Sequence, residues 1–182
     1  MKKRESLKDL QARLADRLHV AQSSDAPMSW LAVTAGAGNY LLPLRQSGEI
    51  LPITQLHPVP RTQPWFVGVV NIRGSLFGTV DLGHFIAKSM PSPVQSPSRG
   101  FPTEDENSTV VTLNPLLEVN CALQVSGLTG LRANESFRSA MPARDEAPAY
   151  FRQQFQDEEG KLWQEIDLQI LSQSPQFLNI SA

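Results

Sequence analysis

Three histidines, one cysteine and scattered carboxylates are the groups in this chain that could do chemistry. His19, His57 and His84 lie far apart and in unlike settings. None stands at metal-ligand spacing from Cys121 or from a carboxylate. His84 falls beside Phe85 in a helical stretch and His57 precedes a proline, so each reads as ordinary structure. The Gly-x-Ser-x-Gly and phosphate-loop patterns are missing. Gly36-Ala37-Gly38 lacks the strand–helix setting of a dinucleotide fingerprint. Glu104, Asp105 and Glu106 cluster within a Pro/Ser-rich stretch, where solvation accounts for them. The pattern supplies no catalytic residue, no metal site and no cofactor site. Catalytic groups could still be assembled in space from distant residues. Arg73 in Asn71-Ile72-Arg73-Gly74 is a candidate for binding, with a solvated or internally paired turn arginine as the equal alternative on these residues alone. A guanidinium is a planar fork that holds a carboxylate through two hydrogen bonds.

The elements that must position Arg73 show in an internal repeat. From Gly74 the sequence reads GSLFGTVDL, and from Gly160 it reads GKLWQEIDL. Both have glycine first, leucine third, an aromatic fourth, Val or Ile seventh, then Asp-Leu. Chance likeness of two strand-to-helix junctions is one explanation. The other is a structural unit used twice. In that unit Gly74 or Gly160 closes a hairpin with a positive φ. A strand follows, and then Asp81 or Asp167 caps a short helix. Both aspartates resemble catalytic carboxylates, yet each sits where an N-cap belongs.

Composition narrows the possibilities. A chain of 182 residues suits one medium domain or two small intertwined ones. With 41% hydrophobic residues it can bury a core. Its net charge of −2, with no basic stripe, lacks the footprint of nucleic-acid binding. The basic start MKKRESLKDL has no apolar h-region, so it does not read as a secretory signal. No apolar run approaches the ~20 residues that span a bilayer, which argues against membrane insertion. A single cysteine excludes an internal disulfide and fits a cytoplasmic location.

Residues 6–21 read as a helix, with Ser6 and Asp9 as a capping box and Leu7, Leu10, Leu14 and Leu18 at helical spacing. Two readings fit it: an arm packed on its own domain, or a docking helix for a partner. Residues 1–27 therefore form an N-terminal helix and loop. Strands are expected over Trp30–Thr34, Tyr40–Leu44, Glu49–Ile53, Phe66–Ile72 and Leu76–Val80, with a helix over Leu82–Lys88. Leu56–Pro64 holds three prolines and cannot be central sheet. The composition of residues 89–108 predicts a flexible Pro/Ser-rich loop. Val110–Leu113 and Val119–Val125 form a hairpin around Asn114-Pro115. Ser136–Ala149 reads as irregular. Ala149–Gln156 and Lys161–Ile166 make the last hairpin, and Asp167–Ser172 the second helix. The tail, residues 176–182, stands apart, though Phe177 and Leu178 could pack. Many short strands with regular turns give a mainly β fold, and the repeat suggests two small barrels.

At Phe66–Ile86, FVGVVNIRGSLFGTVDLGHFI, the sequence resembles the CheW family of chemotaxis coupling proteins. Gly68, Asn71, Ile72, Arg73, Gly74, Val80, Asp81 and Leu82 match the family pattern. Tyr40-Leu-Leu-Pro-Leu44 followed by Gly48-Glu49-Ile50 is similar to a further family segment. Val125-Ser126-Gly127-Leu128 is a weaker match, with Ser126 where aspartate is usual. The resemblance covers residues 28–175. It implies two five-stranded SH3-like barrels on a shared core, and an adaptor without catalysis or cofactors. The implied partners are a CheA-type histidine kinase and the cytoplasmic tip of a methyl-accepting chemoreceptor. The N-terminal helix, the Pro/Ser loop and Phe77-Gly78-Thr79, where a proline is usual, make the chain look most like the PilI branch. That branch serves the chemosensory systems of type IV pili and twitching motility. A flagellar-chemotaxis adaptor is the close alternative.

The expected partner-binding residues are Arg73, Ile72, Asn71, Glu49 and Gly74. Gly68, Asp81, Asp167 and Gly160 are expected to be structural. Glu49 lies on a strand that could neighbour that of Arg73 and could hold its side chain in place. A solvated turn arginine, or one locked in an internal salt bridge, is the competing reading. The second turn, Asp157-Glu158-Glu159-Gly160, carries the opposite charge, which suits an adaptor with different partners. An unrelated barrel module for another ligand, such as single-stranded nucleic acid, would need an aromatic face and clustered lysines.

Overall fold

The computed structural model describes residues 28–53, 55–90 and 109–182. The helix expected over 6–21 and most of the Pro/Ser loop lie outside the described residues. Strands pair into two six-stranded sheets. The first runs β10 (Phe137–Pro142), β11 (Phe151–Asp157), β12 (Leu162–Ile166), β2 (Gly38–Pro43), β1 (Ser29–Ala35) and β9 (Gly127–Ala133). The second runs β3 (Ser47–Pro52), β7 (Thr109–Leu113), β8 (Cys121–Val125), β6 (Ser75–Asp81), β5 (Phe66–Ile72) and β4 (Leu56–His57). Helix α1 (Leu82–Ser89) follows β6, and α2 (Leu168–Gln173) follows β12, with α3 (Pro175–Leu178) next. Each sheet thus has one strand more than five. In the second, the extra strand is the two-residue edge strand β4, drawn from the proline-rich stretch.

The two sheets share one plan. In each, a hairpin lies parallel to the last strand of another hairpin: β2 beside β12, and β8 beside β6. Gln164 pairs with Tyr40 in the first sheet as Gly78 pairs with Cys121 in the second. Gly78 and Gln164 are the same position of the sequence repeat, so the repeat is a structural one. The chain also exchanges strands. After β2 it crosses to the second sheet as β3, and after β8 it returns to the first as β9. Gln46 fixes one crossing: its Oε1 accepts from Leu168 N at 2.7 Å and its Nε2 donates to Asp167 Oδ1 at 3.1 Å.

Strand alternation divides the apolar residues. Leu31, Val33, Leu42 and Ile166 face a core shared with Val111, Leu123, Phe85 and Leu168. Trp30, Ala32, Leu41, Phe155 and Trp163 face the other way and form a second cluster. That cluster exists because the first sheet curls. Phe137 at the start of β10 meets Trp30 on β1 with ring centroids 6.0 Å apart, although three strands lie between them. In a flat sheet, four spacings of about 4.8 Å would hold them roughly 19 Å apart.

Strands β9 and β10 correct the expectation. Ser136–Ala149 was expected to be irregular and contains β10, while β9 carried no strand expectation. Both are edge strands of the first sheet. Their residues are mostly exposed, so neither strand needs the apolar alternation by which a half-buried strand is recognised. The tail is anchored. Phe177 is buried, edge-on to Phe85 at 5.3 Å and stacked on Trp65 at 6.3 Å. Gln63 N donates to Ile180 O at 2.8 Å. Leu178 stays exposed.

Two glycine sites set close approaches. Gly68 (φ 143°) sits in the β5–β6 bulge, where a Cβ would run into the His57 carbonyl of β4. Gly83, in the first turn of α1, faces the β1–β2 turn. A Cβ there would lie 2.5 Å from Gly36 N.

Candidate functional site

The β5–β6 hairpin turns through two residues, since Ile72 pairs with Ser75. Both turn residues have positive φ, Arg73 at 52° and Gly74 at 88°. That is the signature of a type I′ turn, which matches the twist of the flanking strands. Asn71 fixes the turn from below, its Oδ1 accepting from Gly74 N at 2.8 Å. Asn71 and Gly74 are therefore accounted for by the turn itself. Arg73 is not. A non-glycine residue in this region costs about 1–2 kcal/mol, and asparagine is the low-cost choice.

The Arg73 side chain is 76% exposed and its Nη2 lies 2.9 Å from Glu49 Oε2. Glu49 sits at the β3 bulge, its N–H donating to Thr112 Oγ1 at 2.7 Å. The expectation that the two strands are neighbours is corrected, because β7 and β8 separate β3 from β6. In a flat sheet three strand spacings would hold them about 14 Å apart. The second sheet curls as the first does, and the turn tip leans over to β3. Exposed pairs of this kind contribute about 0–1 kcal/mol, too little to offset the backbone cost of Arg73. Ile72 is half-buried in the turn's strand. Two exposed apolar side chains flank the pair's segments: Ile50, next to Glu49 in sequence, and Leu76, the cross-strand partner of Asn71.

Among the described residues no chemistry competes with this turn. No three His, Cys, Asp or Glu side chains are placed to hold a metal. Cys121 is buried, and burial pushes its thiol up to about 12. Asp81 Oδ1 accepts from His84 N at 2.9 Å at the start of α1. Asp167 Oδ1 accepts from Gln169 N and Ile170 N at 3.1 and 3.2 Å, and its Oδ2 lies 3.3 Å from Arg152 Nε. Both carboxylates are committed to helix starts.

The second turn differs from its sequence reading. Gly160 has φ 81° and Glu158 and Glu159 are exposed, but Asp157 turns inward. Its Oδ2 accepts from Trp163 Nε1 at 2.8 Å and its Oδ1 from Lys161 N at 2.7 Å. The outward acidity of this turn is thus Glu158 and Glu159 alone. The Trp163 hydrogen bond, then the Lys161 N–H and the Arg132 charge, hold the Asp157 carboxyl below its ordinary 3.8. A depressed folded value adds stability above 3.8 that is lost as pH falls through the folded value. The Asp157→Asn variant should unfold at lower urea than the parent at about pH 5, and the gap should narrow toward about pH 2. An unchanged gap across that range would deny Asp157 this role.

The turn arginine is thus carried on an interlocked, duplicated two-sheet β fold. The sequence over residues 29–176 matches the CheW-like domain, and the chain belongs to that family. The crystal structure of the scaffolding protein TtCheW from Thermoanaerobacter tengcongensis is similar in fold, with TM-score 0.59 and 16% sequence identity. The match covers 78% of this chain and 89% of that one. No curated protein matches the chain in sequence. No helix among the described residues is long and apolar enough to cross a membrane.

Proposed function

We propose that the chain is a non-catalytic cytoplasmic adaptor that couples the tip of a methyl-accepting chemoreceptor to a CheA-type histidine kinase. Arg73 reads a partner carboxylate, Glu49 orients it, and Ile72 lends apolar contact beside it. Family membership supports the adaptor role. The observation that carries the site is Arg73 itself: a strained, exposed arginine whose ion pair does not offset its backbone cost. Within the family we place the chain in the PilI branch, which serves type IV pili and twitching motility. The leucine-spaced N-terminal segment, the Pro/Ser-rich stretch and Phe77-Gly78-Thr79 support that placement.

The test is reconstitution with a receptor cytoplasmic hairpin and a CheA-type kinase, taken in turn from a pilus system and a flagellar system. The pilus pair should co-sediment with the chain in one complex and show receptor-dependent kinase activity. Assembly with the flagellar pair alone would move the chain to the other branch. Assembly with neither would overturn the adaptor reading.

A further inference from the structure

A cleft of about 590 Å³ opens at one end of the first sheet. Met28, Trp30, Leu44, Pro142, Phe151 and Arg152 are among its lining residues. Its volume is that of a ligand-sized site. Three of its four charged groups already have partners: Glu165 accepts from Trp30 Nε1 at 2.9 Å, and Arg152 pairs with Asp167. What the cleft offers is apolar surface. Met28 is 50% exposed and Leu44 37%, and the two are joined through the Leu44 N–H to Ser29 O bond of 3.1 Å.

We propose that the occupant is the chain's own N-terminal segment, with Leu7, Leu10, Leu14 and Leu18 seated in this cleft. The position of Met28 is the first argument. It lines the cleft and is also where the preceding 27 residues join the sheet, so the segment starts at the rim. The second is the match of surfaces. Four leucines at helical spacing make a stripe about 16 Å long, with Lys8, Asp9 and Asp16 on the opposite side. The third is reach. Residues 19–27 can extend up to roughly 30 Å, and Ser23-Ser24-Asp25 with Pro27 favour a reversal. A tether this short gives an effective concentration of about millimolar, so a weak apolar contact is enough to keep the segment docked.

Hydrogen exchange on the full-length chain tests this. Amides of residues 7–18 should exchange at least about tenfold more slowly in the parent than in Leu10→Asp/Leu14→Asp. The amides of Leu44, Arg45 and Gln153 should exchange faster in that variant. Leu44→Asp, a change at an exposed rim position, should release the segment in the same way. A Leu14→Cys/Gln153→Cys chain should oxidise to an intramolecular disulfide at any dilution, with Cys121 buried and out of reach. Fast exchange of 7–18 in the parent would overturn the proposal. So would protection that grows with protein concentration, which would make the occupant a second copy. Protection of 7–18 with no response at the cleft would place the segment elsewhere and overturn it equally.

Discussion

Arg73→Glu is expected to abolish assembly with receptor and kinase while shifting the unfolding midpoint by only a few degrees. The turn is held by Asn71 and Gly74, which the substitution leaves in place. An exposed ion pair contributes about 0–1 kcal/mol, so its loss is small against a domain stability of about 5–15 kcal/mol. Binding stands differently. A guanidinium fork on a partner carboxylate becomes a carboxylate facing a carboxylate, and juxtaposed like charges cost several kcal/mol at an interface. Two further variants separate binding from structure. Arg73→Asn suits the left-handed turn and should raise stability by up to about 1 kcal/mol, yet assembly should still fail. Arg73→Glu with Glu49→Arg rebuilds the ion pair but puts the cation on β3. A structural pair would be rescued by that swap, and a partner-reading arginine would not. Full recovery of the complex in the double variant would sink the binding role.

Much of this arrangement was legible in the sequence because the determinants are local. Arg73-Gly74 announces a tight turn through glycine chemistry, and Asp81 and Asp167 announce helix starts through their place directly ahead of a leucine that opens a short helical stretch. The repeat between Gly74 and Gly160 was visible because both copies must bury the same positions: Val80 and Ile166 are each buried. What stayed hidden was non-local. The pairing of Glu49 with Arg73 was expected and is present, but its route was not: it comes from sheet curl rather than from strand adjacency, and curl is a sum of small twists that leaves no signature at either residue. The parallel pairings of β2 with β12 and β8 with β6 join segments far apart in the chain. Asp157 looked like a third acid on an exposed tip. Only the placement of the Trp163 indole across the hairpin turns it inward.

The two sheets should not depend equally on the aromatic position that follows each repeat glycine, and Trp163→Ala measures the difference. Trp163 is fully buried among Trp30, Leu41 and Phe155, inside the curl of the first sheet. Lys161 Nζ stands 4.6 Å and the Arg132 guanidinium 5.7 Å from its ring centroid. Truncation should cost about 3–5 kcal/mol for the lost packing and the cavity. It also removes one of the donors that Asp157 accepts from, which adds to the loss. The total approaches the whole stability of a typical domain, so the variant should be largely unfolded near 37 °C. Trp163→Phe keeps most of the ring but not the N–H, and should fall between the two. In the second sheet the corresponding residue, Phe77, is only half-buried. Its own partner on β5 is Val70, while on the β8 side the nearby residues are small, Ala122 opposite Thr79 and Thr112 opposite Ala122. Phe77→Ala should therefore cost distinctly less, about 1–2 kcal/mol for a side chain already partly in water. Urea midpoints of the three variants decide it. Equal losses at Trp163 and Phe77 would mean that the second sheet is as tightly filled as the first, and the asymmetry between the copies would fall.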